Sequence, residues 1–87
     1  MNSFCCVYVL RSTIDQGHYV GLTQDLRQRL KDHNAGQVPS TQRRRPLELI
    51  YYEACRGMGD AVRREKYLKT AWGKRFLKLR LKHYLTG

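Results

Sequence analysis

Apolar and polar positions follow different rhythms along this chain, and each rhythm predicts an element. From Phe4 to Arg11 the residues are apolar, β-branched or aromatic, with no polar alternation until Arg11. Such a run predicts a strand covered on both faces. Residues 12 to 17 are rich in turn formers, and His18 to Leu22 predicts a second strand in a hairpin with the first. The two-residue period puts Cys6, Tyr8 and Leu10 on one face, and puts Tyr19 and Gly21 together in the second strand. Helical spacing follows at Leu22, Leu26, Leu30 and His33, with Thr23 as the expected N-cap, Asp25 suited to the helix start, and Asn34 and Gly36 as the stop. Residues 36 to 46 predict a loop, expected to be the mobile element, that ends in Arg43-Arg44-Arg45-Pro46. Leu47 to Glu53 predicts a third strand. Gly57 and Gly59 break it, and Asp60 is expected to cap a second helix running to about residue 70. Gly73 is expected to interrupt the helical pattern. A last helix then reaches about Tyr84, with Leu77, Leu81, Tyr84 and Leu85 on one side and Lys74, Lys78 and Lys82 on another.

The order β-β-α-β-α-α predicts an α/β chain of the α+β type, a three-stranded, mainly antiparallel sheet flanked by helices. Residues 1–87 make one domain, and 41% hydrophobic residues are enough for a single core. No apolar stretch approaches the ~18–20 residues of a membrane span, so no membrane role is expected. The start, Met1-Asn2-Ser3-Phe4, lacks the basic stretch of a secretory signal. Cys5, Cys6 and Cys55 are odd in number and without CxxC spacing, and adjacent strand residues face opposite ways. Reduced thiols in a cytoplasmic protein are the expectation.

Charge sharpens this picture. Residues 56 to 87 hold ten Lys/Arg against Asp60 and Glu65, a net +8, while residues 1 to 55 hold seven against five acids, a net +2. That asymmetry favours a polyanion partner over a merely solvated surface. Arg43, Arg44 and Arg45, and Lys69, Lys74 and Lys78, are candidates for a phosphate backbone, although a basic run is also compatible with a solvated loop.

Several residues could carry chemistry. Glu65 shares a helical face with Ala61, Leu68 and Trp72, and a carboxylate on such a stripe needs a cation or a metal. A salt bridge to a nearby Lys or Arg would satisfy it equally. Arg29 and His33 lie one helical turn apart. A guanidinium there can grip a phosphate with two parallel hydrogen bonds, or can simply be a surface arginine. His33 could equally pack or cap near the helix end. Tyr8 and Tyr19 sit in strands, where tyrosine is common as packing. As a base, a phenol would need nearby cations or a metal to favour its ionised form.

Four segments in order carry a family resemblance. They are the triplets Cys6-Val7-Tyr8 and Tyr19-Val20-Gly21, the TxDLxxRLxxHNxG pattern from Thr23 to Gly36, the RPLELIYYE run from Arg45 to Glu53, and REKYLK from Arg64 to Lys69. From about Val7 to Leu79 the chain resembles the GIY-YIG nuclease superfamily, and in particular its small stand-alone bacterial members. Cys6 stands where the family name has glycine. The resemblance implies a metal-dependent endonuclease that hydrolyses phosphodiester bonds. By position, Tyr8, Tyr19, Arg29, His33 and Glu65 would form the catalytic set, with Glu65 holding the metal. One carboxylate suits Mg²⁺ or Mn²⁺ better than zinc. The implied partner is DNA, with branched, flapped or single-stranded forms favoured over a defined site because basic side chains grip backbone rather than bases. A monomer and a role in DNA repair or processing complete the expectation. The alternative is a non-catalytic nucleic-acid binder that keeps the fold.

Overall fold

β1 (Cys5–Ser12) is the middle strand of an antiparallel sheet with order β2-β1-β3, where β2 is His18–Thr23 and β3 is Leu47–Cys55. The computed structural model describes residues 4–87; Met1, Asn2 and Ser3, the start that bears on a secretory leader, lie outside the described residues. The helices are α1 (Leu26–Asn34), α2 (Met58–Leu68), α3 (Ala71–Arg80) and a short α4 (Lys82–Thr86), with a 3-10 turn at Gln42–Arg44. The expected α+β architecture and element order are therefore present, and the expected last helix is split at Leu81.

The unbroken apolar run of β1 has a direct physical reason. One face of the sheet buries Cys5, Val7, Val9 and Val20 with Ala61 and Leu68 of α2 and Leu77 of α3. The other buries Tyr8, Leu10 and Leu47, against which Leu26 and Leu30 of α1 pack. A strand between two apolar layers has no solvent face to alternate toward. Leu68 and Leu77 are both nearly inaccessible, and truncating either to alanine costs about 2–5 kcal/mol.

Several boundaries differ from the expectation. The N-cap of α1 is Asp25, whose carboxylate accepts the Gln28 N–H at 3.1 Å, while the Thr23 hydroxyl accepts the Asp25 N–H at 3.0 Å. α2 starts at Met58 after Gly57, and Asp60 lies in its first turn rather than at its cap. Its carboxylate there complements the positive end of the helix. The break between α2 and α3 falls at Lys69–Thr70, not at Gly73. Thr70 does both jobs, donating to the Tyr67 carbonyl at 2.6 Å and accepting the Gly73 N–H at 3.1 Å. Gly73 is buried inside α3, where a Cβ would collide with the Tyr67 carbonyl oxygen and the Leu68 backbone. It sets the close crossing of the two helices. Trp72 is 70% exposed, so it leaves the stripe of Ala61 and Leu68.

The basic loop is tied down at several points. Ser12 Oγ donates to the Arg44 carbonyl at 2.8 Å, and the Thr13 N–H donates to the Pro46 carbonyl at 3.0 Å. The Asn34 side chain accepts the Leu47 N–H at 2.8 Å and donates to the Leu47 carbonyl at 3.0 Å, clamping the end of α1 to the start of β3. Among the described residues no helix is long and apolar enough to cross a membrane.

Candidate active site

Tyr8 occupies the middle of β1, opposite Gly21 of β2. Its ring lies over Gly21 so closely that a Cβ there would stand 2.8 Å from Tyr8 Cε2 and nearer still to Cζ and the hydroxyl. The glycine of the second triplet is thus required by the tyrosine of the first. Tyr19, two residues earlier on the same face, brings its ring centroid to 6.3 Å from that of Tyr8.

α1 lays Arg29 and His33 over this face. His33 is fully buried, and its Nε2 is 2.8 Å from the Tyr8 hydroxyl. Its Nδ1 is 2.7 Å from the hydroxyl of Thr41, which is also fully buried. The Arg29 guanidinium donates to the Tyr8 oxygen. These contacts fix the proton positions. The Thr41 hydroxyl donates to the Val38 carbonyl at 3.5 Å and so accepts from His33 Nδ1–H, which leaves Nε2 as the acceptor for the Tyr8 proton. Thr41 was not among the residues expected from the sequence. It sits outside every regular element, and no local pattern marks it.

The protonation states follow from burial and charge. Burial pushes the Tyr8 pKa above its usual value of 10.0, the Arg29 hydrogen bond pulls against that rise, and the charges of Tyr19 and Glu65 add to it. The resting side chain is a neutral phenol. Burial, and then the nearby Arg29 charge, hold His33 below 6.5, so it is a neutral imidazole with its Nε2 lone pair turned to Tyr8. Arg29 stays charged, its pKa raised chiefly by the Tyr8 hydrogen bond.

Glu65 sits on α2, and its charge reaches Tyr8. Its side chain is 20% exposed and pairs with Lys69 Nζ at 3.0 Å. The salt bridge considered from the sequence is therefore present, but Lys69 is 54% exposed. Exposed i,i+4 pairs are worth only ~0.3–0.5 kcal/mol, so Glu65 can exchange this partner readily. Among the described residues no group of three His, Cys, Asp or Glu could cage a metal. A lone, partly exposed carboxylate fits a hard cation that keeps waters and takes its remaining oxygens from elsewhere.

The other basic residues divide into groups. Lys69 and Lys74 line a groove of about 330 Å³ with Tyr19. Lys78 continues along α3 beside Lys74. Arg43 and Arg45 border a separate shallow depression with Asn34 and Pro46. Arg44 pairs with Asp15 at 3.3 Å, which commits part of the arginine run to holding the hairpin turn. Cys6, the departure in the first triplet, is a buried thiol whose pKa burial raises. A second ion pair, Arg64 with Glu53 at 2.8 Å, joins α2 to β3.

This geometry agrees with the family model for the GIY-YIG catalytic domain, which matches residues 4–80. The chain belongs to the GIY-YIG family, a nuclease superfamily whose members generally use a divalent metal. It is similar to a UPF0213 protein of Pediococcus acidilactici, with 40% identity over 74% of this chain and 68% of the relative. It is also similar to UPF0213 proteins of Haloquadratum walsbyi, at 32% over 80% of this chain and 79% of the relative, and of Staphylococcus haemolyticus, at 35% over 84% and 89%.

Proposed function

We propose that this chain is a divalent-metal-dependent DNA endonuclease that hydrolyses phosphodiester bonds in branched, flapped or single-stranded substrates. The observation that carries the reading is one phenol oxygen held between a cation and a neutral base: Tyr8, with Arg29 donating to it and His33 Nε2 accepting from it at 2.8 Å. A tyrosine used only for packing would not need a buried histidine in a fixed tautomer.

In this reading Tyr8 is the general base. Its proton moves to His33 Nε2 as its oxygen takes a proton from the attacking water. The water oxygen bonds to phosphorus while the bond to the leaving oxygen breaks, and the leaving oxygen is protonated from solvent. His33 later returns its proton through Tyr8. Arg29 has five N–H donors, so it can hold Tyr8 and a phosphate oxygen together and stabilise charge on the phosphorus centre. Tyr19, beside both Tyr8 and His33, shares the proton network. Glu65 would hold Mg²⁺ or Mn²⁺, which when bound offsets charge on the leaving oxygen. Lys69, released from Glu65, would then turn to the substrate backbone with Lys74 and Lys78, and Arg43, Arg44 and Arg45 would add phosphate contacts.

A monomer of one domain, 1–87, acting in repair or processing of irregular DNA is the simplest setting. The three free cysteines suit a reducing cytoplasm. The test compares wild type with Glu65→Gln on labelled duplex, single-stranded, flapped and branched DNA with Mg²⁺ or Mn²⁺. Cutting by wild type alone, with binding kept in both, is the expected result. Binding without cutting in both would instead make the chain a non-catalytic nucleic-acid binder.

A further inference from the structure

The chain carries three free thiols, and the chemistry above uses none of them. Two of the three oppose each other. Cys5, the first residue of β1, is the cross-strand partner of Cys55, the last residue of β3. Both lie on the helix side of the sheet. Cys5 is buried in the core with Val7, Val9 and Leu68, and Cys55 packs against that core from a half-buried position. The flanking residues tie the same strand ends together, because the Arg56 guanidinium lies 5.3 Å from the centroid of the Phe4 ring. Each sulfur makes one long contact. Cys5 Sγ accepts from Gln24 Nε2 at 3.8 Å, and Cys55 Sγ donates to the Gly57 carbonyl at 3.6 Å.

We propose that Cys5 and Cys55 are an oxidation site that closes to a cross-strand disulfide on exposure to hydrogen peroxide. The inference is independent of the nuclease reading. Directly opposed antiparallel residues have Cα atoms about 4.5–5.5 Å apart, inside the ~4.4–6.8 Å that a disulfide spans. The pair is the end rung of the β1–β3 ladder, so closing the bond gives up only the two long sulfur contacts. Cys6 is excluded as a partner. Its side chain points to the other face of the sheet, and Ala54 is its neighbour on β3. Cys55 is the more accessible thiol and reacts first. Its thiolate attacks one peroxide oxygen, the O–O bond breaks, and the departing hydroxide takes a proton and leaves as water. The product is a sulfenic acid. The Cys5 thiolate then attacks the Cys55 sulfur, the S–O bond breaks, and a second water leaves. Two thiols lose two electrons and two protons, and one peroxide becomes two waters. Burial, then the charge of Asp60, hold the Cys55 thiol above its usual 9.0, so the first step is slow at neutral pH and quickens as pH rises. The bond ties the start of β1 to the end of β3 on the face opposite Tyr8. It therefore restricts the unfolded chain and leaves the Tyr8–His33 contact in place.

The test treats the folded wild-type protein with hydrogen peroxide at several pH values. Intact mass and peptide mapping without reduction then follow. The expected product is a monomer lighter by about 2 Da, with Cys5 joined to Cys55 and Cys6 still a thiol. Its thermal unfolding midpoint should lie about 5 °C or more above that of the reduced protein, and dithiothreitol should reverse both changes. The rate of linking should rise with pH. Cys55→Ser should show neither link nor shift, and Cys6→Ser should keep both. A link that contains Cys6, a covalent dimer as the main product, or mass gains of about 16 or 32 Da in place of the link would overturn the proposal. So would a linked protein whose midpoint does not rise. The wild-type map decides the question even where a variant fails to fold.

Discussion

Gly21→Ala is the sharpest test of how the two triplets depend on each other. The added methyl would meet the Tyr8 ring, 2.8 Å from Cε2 and closer to the hydroxyl end. The ring has nowhere to go. Tyr8 is 1% exposed, and its oxygen is held by His33 and Arg29. Forcing a methylene-sized group into a packed site costs about 1–3 kcal/mol. If the ring tilts to relieve the clash, the Tyr8–His33 hydrogen bond breaks and leaves buried polar atoms unpaired, for a further ~1–3 kcal/mol. A loss of about 2–6 kcal/mol is a large part of what a chain of this size has, at ~0.05–0.15 kcal/mol per residue. Urea unfolding followed by circular dichroism measures it. Tyr8→Leu is the control, since without the ring the same methyl should cost less than about 1 kcal/mol. The coupling across this double-mutant cycle should be at least ~1 kcal/mol. Additive effects, or a Gly21→Ala midpoint equal to wild type, would refute the steric argument and with it the physical reason for pairing these triplets.

Thr41→Val should destabilise by about 1–3 kcal/mol by leaving His33 Nδ1 unpaired, and should lower the cleavage rate by releasing the tautomer; Thr41→Ser should restore both, and a serine variant no better than valine would sink this role. Lys69→Met should change unfolding free energy by less than about 0.5 kcal/mol while weakening DNA binding in a salt-titration assay; a large stability loss would mean that the pair with Glu65 is structural. His33 has a folded pKa below its ordinary 6.5, so the unfolded chain takes up its proton first. Its contribution is present above that value and is lost as pH falls from there through the lowered folded value, with a slope of up to ~1.4 kcal/mol per pH unit. His18 is also shifted down, by burial and then by Arg11 and Arg44, so urea midpoints between pH 7.5 and 5 should be compared in wild type and His18→Asn. An acid-side loss that disappears in His18→Asn would remove His33 as its source.

The strands were legible because their patterns have one physical cause each. An apolar run without alternation means burial on both sides, and β1 is the middle strand between two cores. The helix boundaries were less legible because several residues compete for each cap. Thr23 and Asp25 both have cap chemistry, and the outcome depends on which oxygen reaches the first free N–H groups; Asp25 wins, and Thr23 supports it. At the other break, glycine suggested an interruption at Gly73, but its use there is to admit the Tyr67 carbonyl and the Leu68 backbone. A glycine marks either freedom of the backbone or absence of a side chain, and sequence alone does not separate the two.

The candidate site divides along the same line. Tyr8, Tyr19, Arg29 and His33 were grouped by the family resemblance, with strand alternation and helical spacing putting each on a defined face, and the structure brings the four together, with His33 and Arg29 at the Tyr8 oxygen and the Tyr19 ring beside Tyr8 and His33. Thr41 could not be grouped with them, because its place depends on a loop path set by contacts far along the chain: Ser12 to Arg44, Thr13 to Pro46 and Asn34 to Leu47. Yet Thr41 is what makes the set directional. Without a partner on Nδ1, either nitrogen of His33 could carry the proton, and an Nε2–H would oppose the Tyr8 hydroxyl rather than accept from it. Glu65 shows the converse. Its position on a helical stripe was plain in the sequence, but whether it serves a fold or a reaction turns on the strength of one contact. Its lysine partner is largely in solvent, so the pair adds little to the fold, and the carboxylate is free to bind a cation instead.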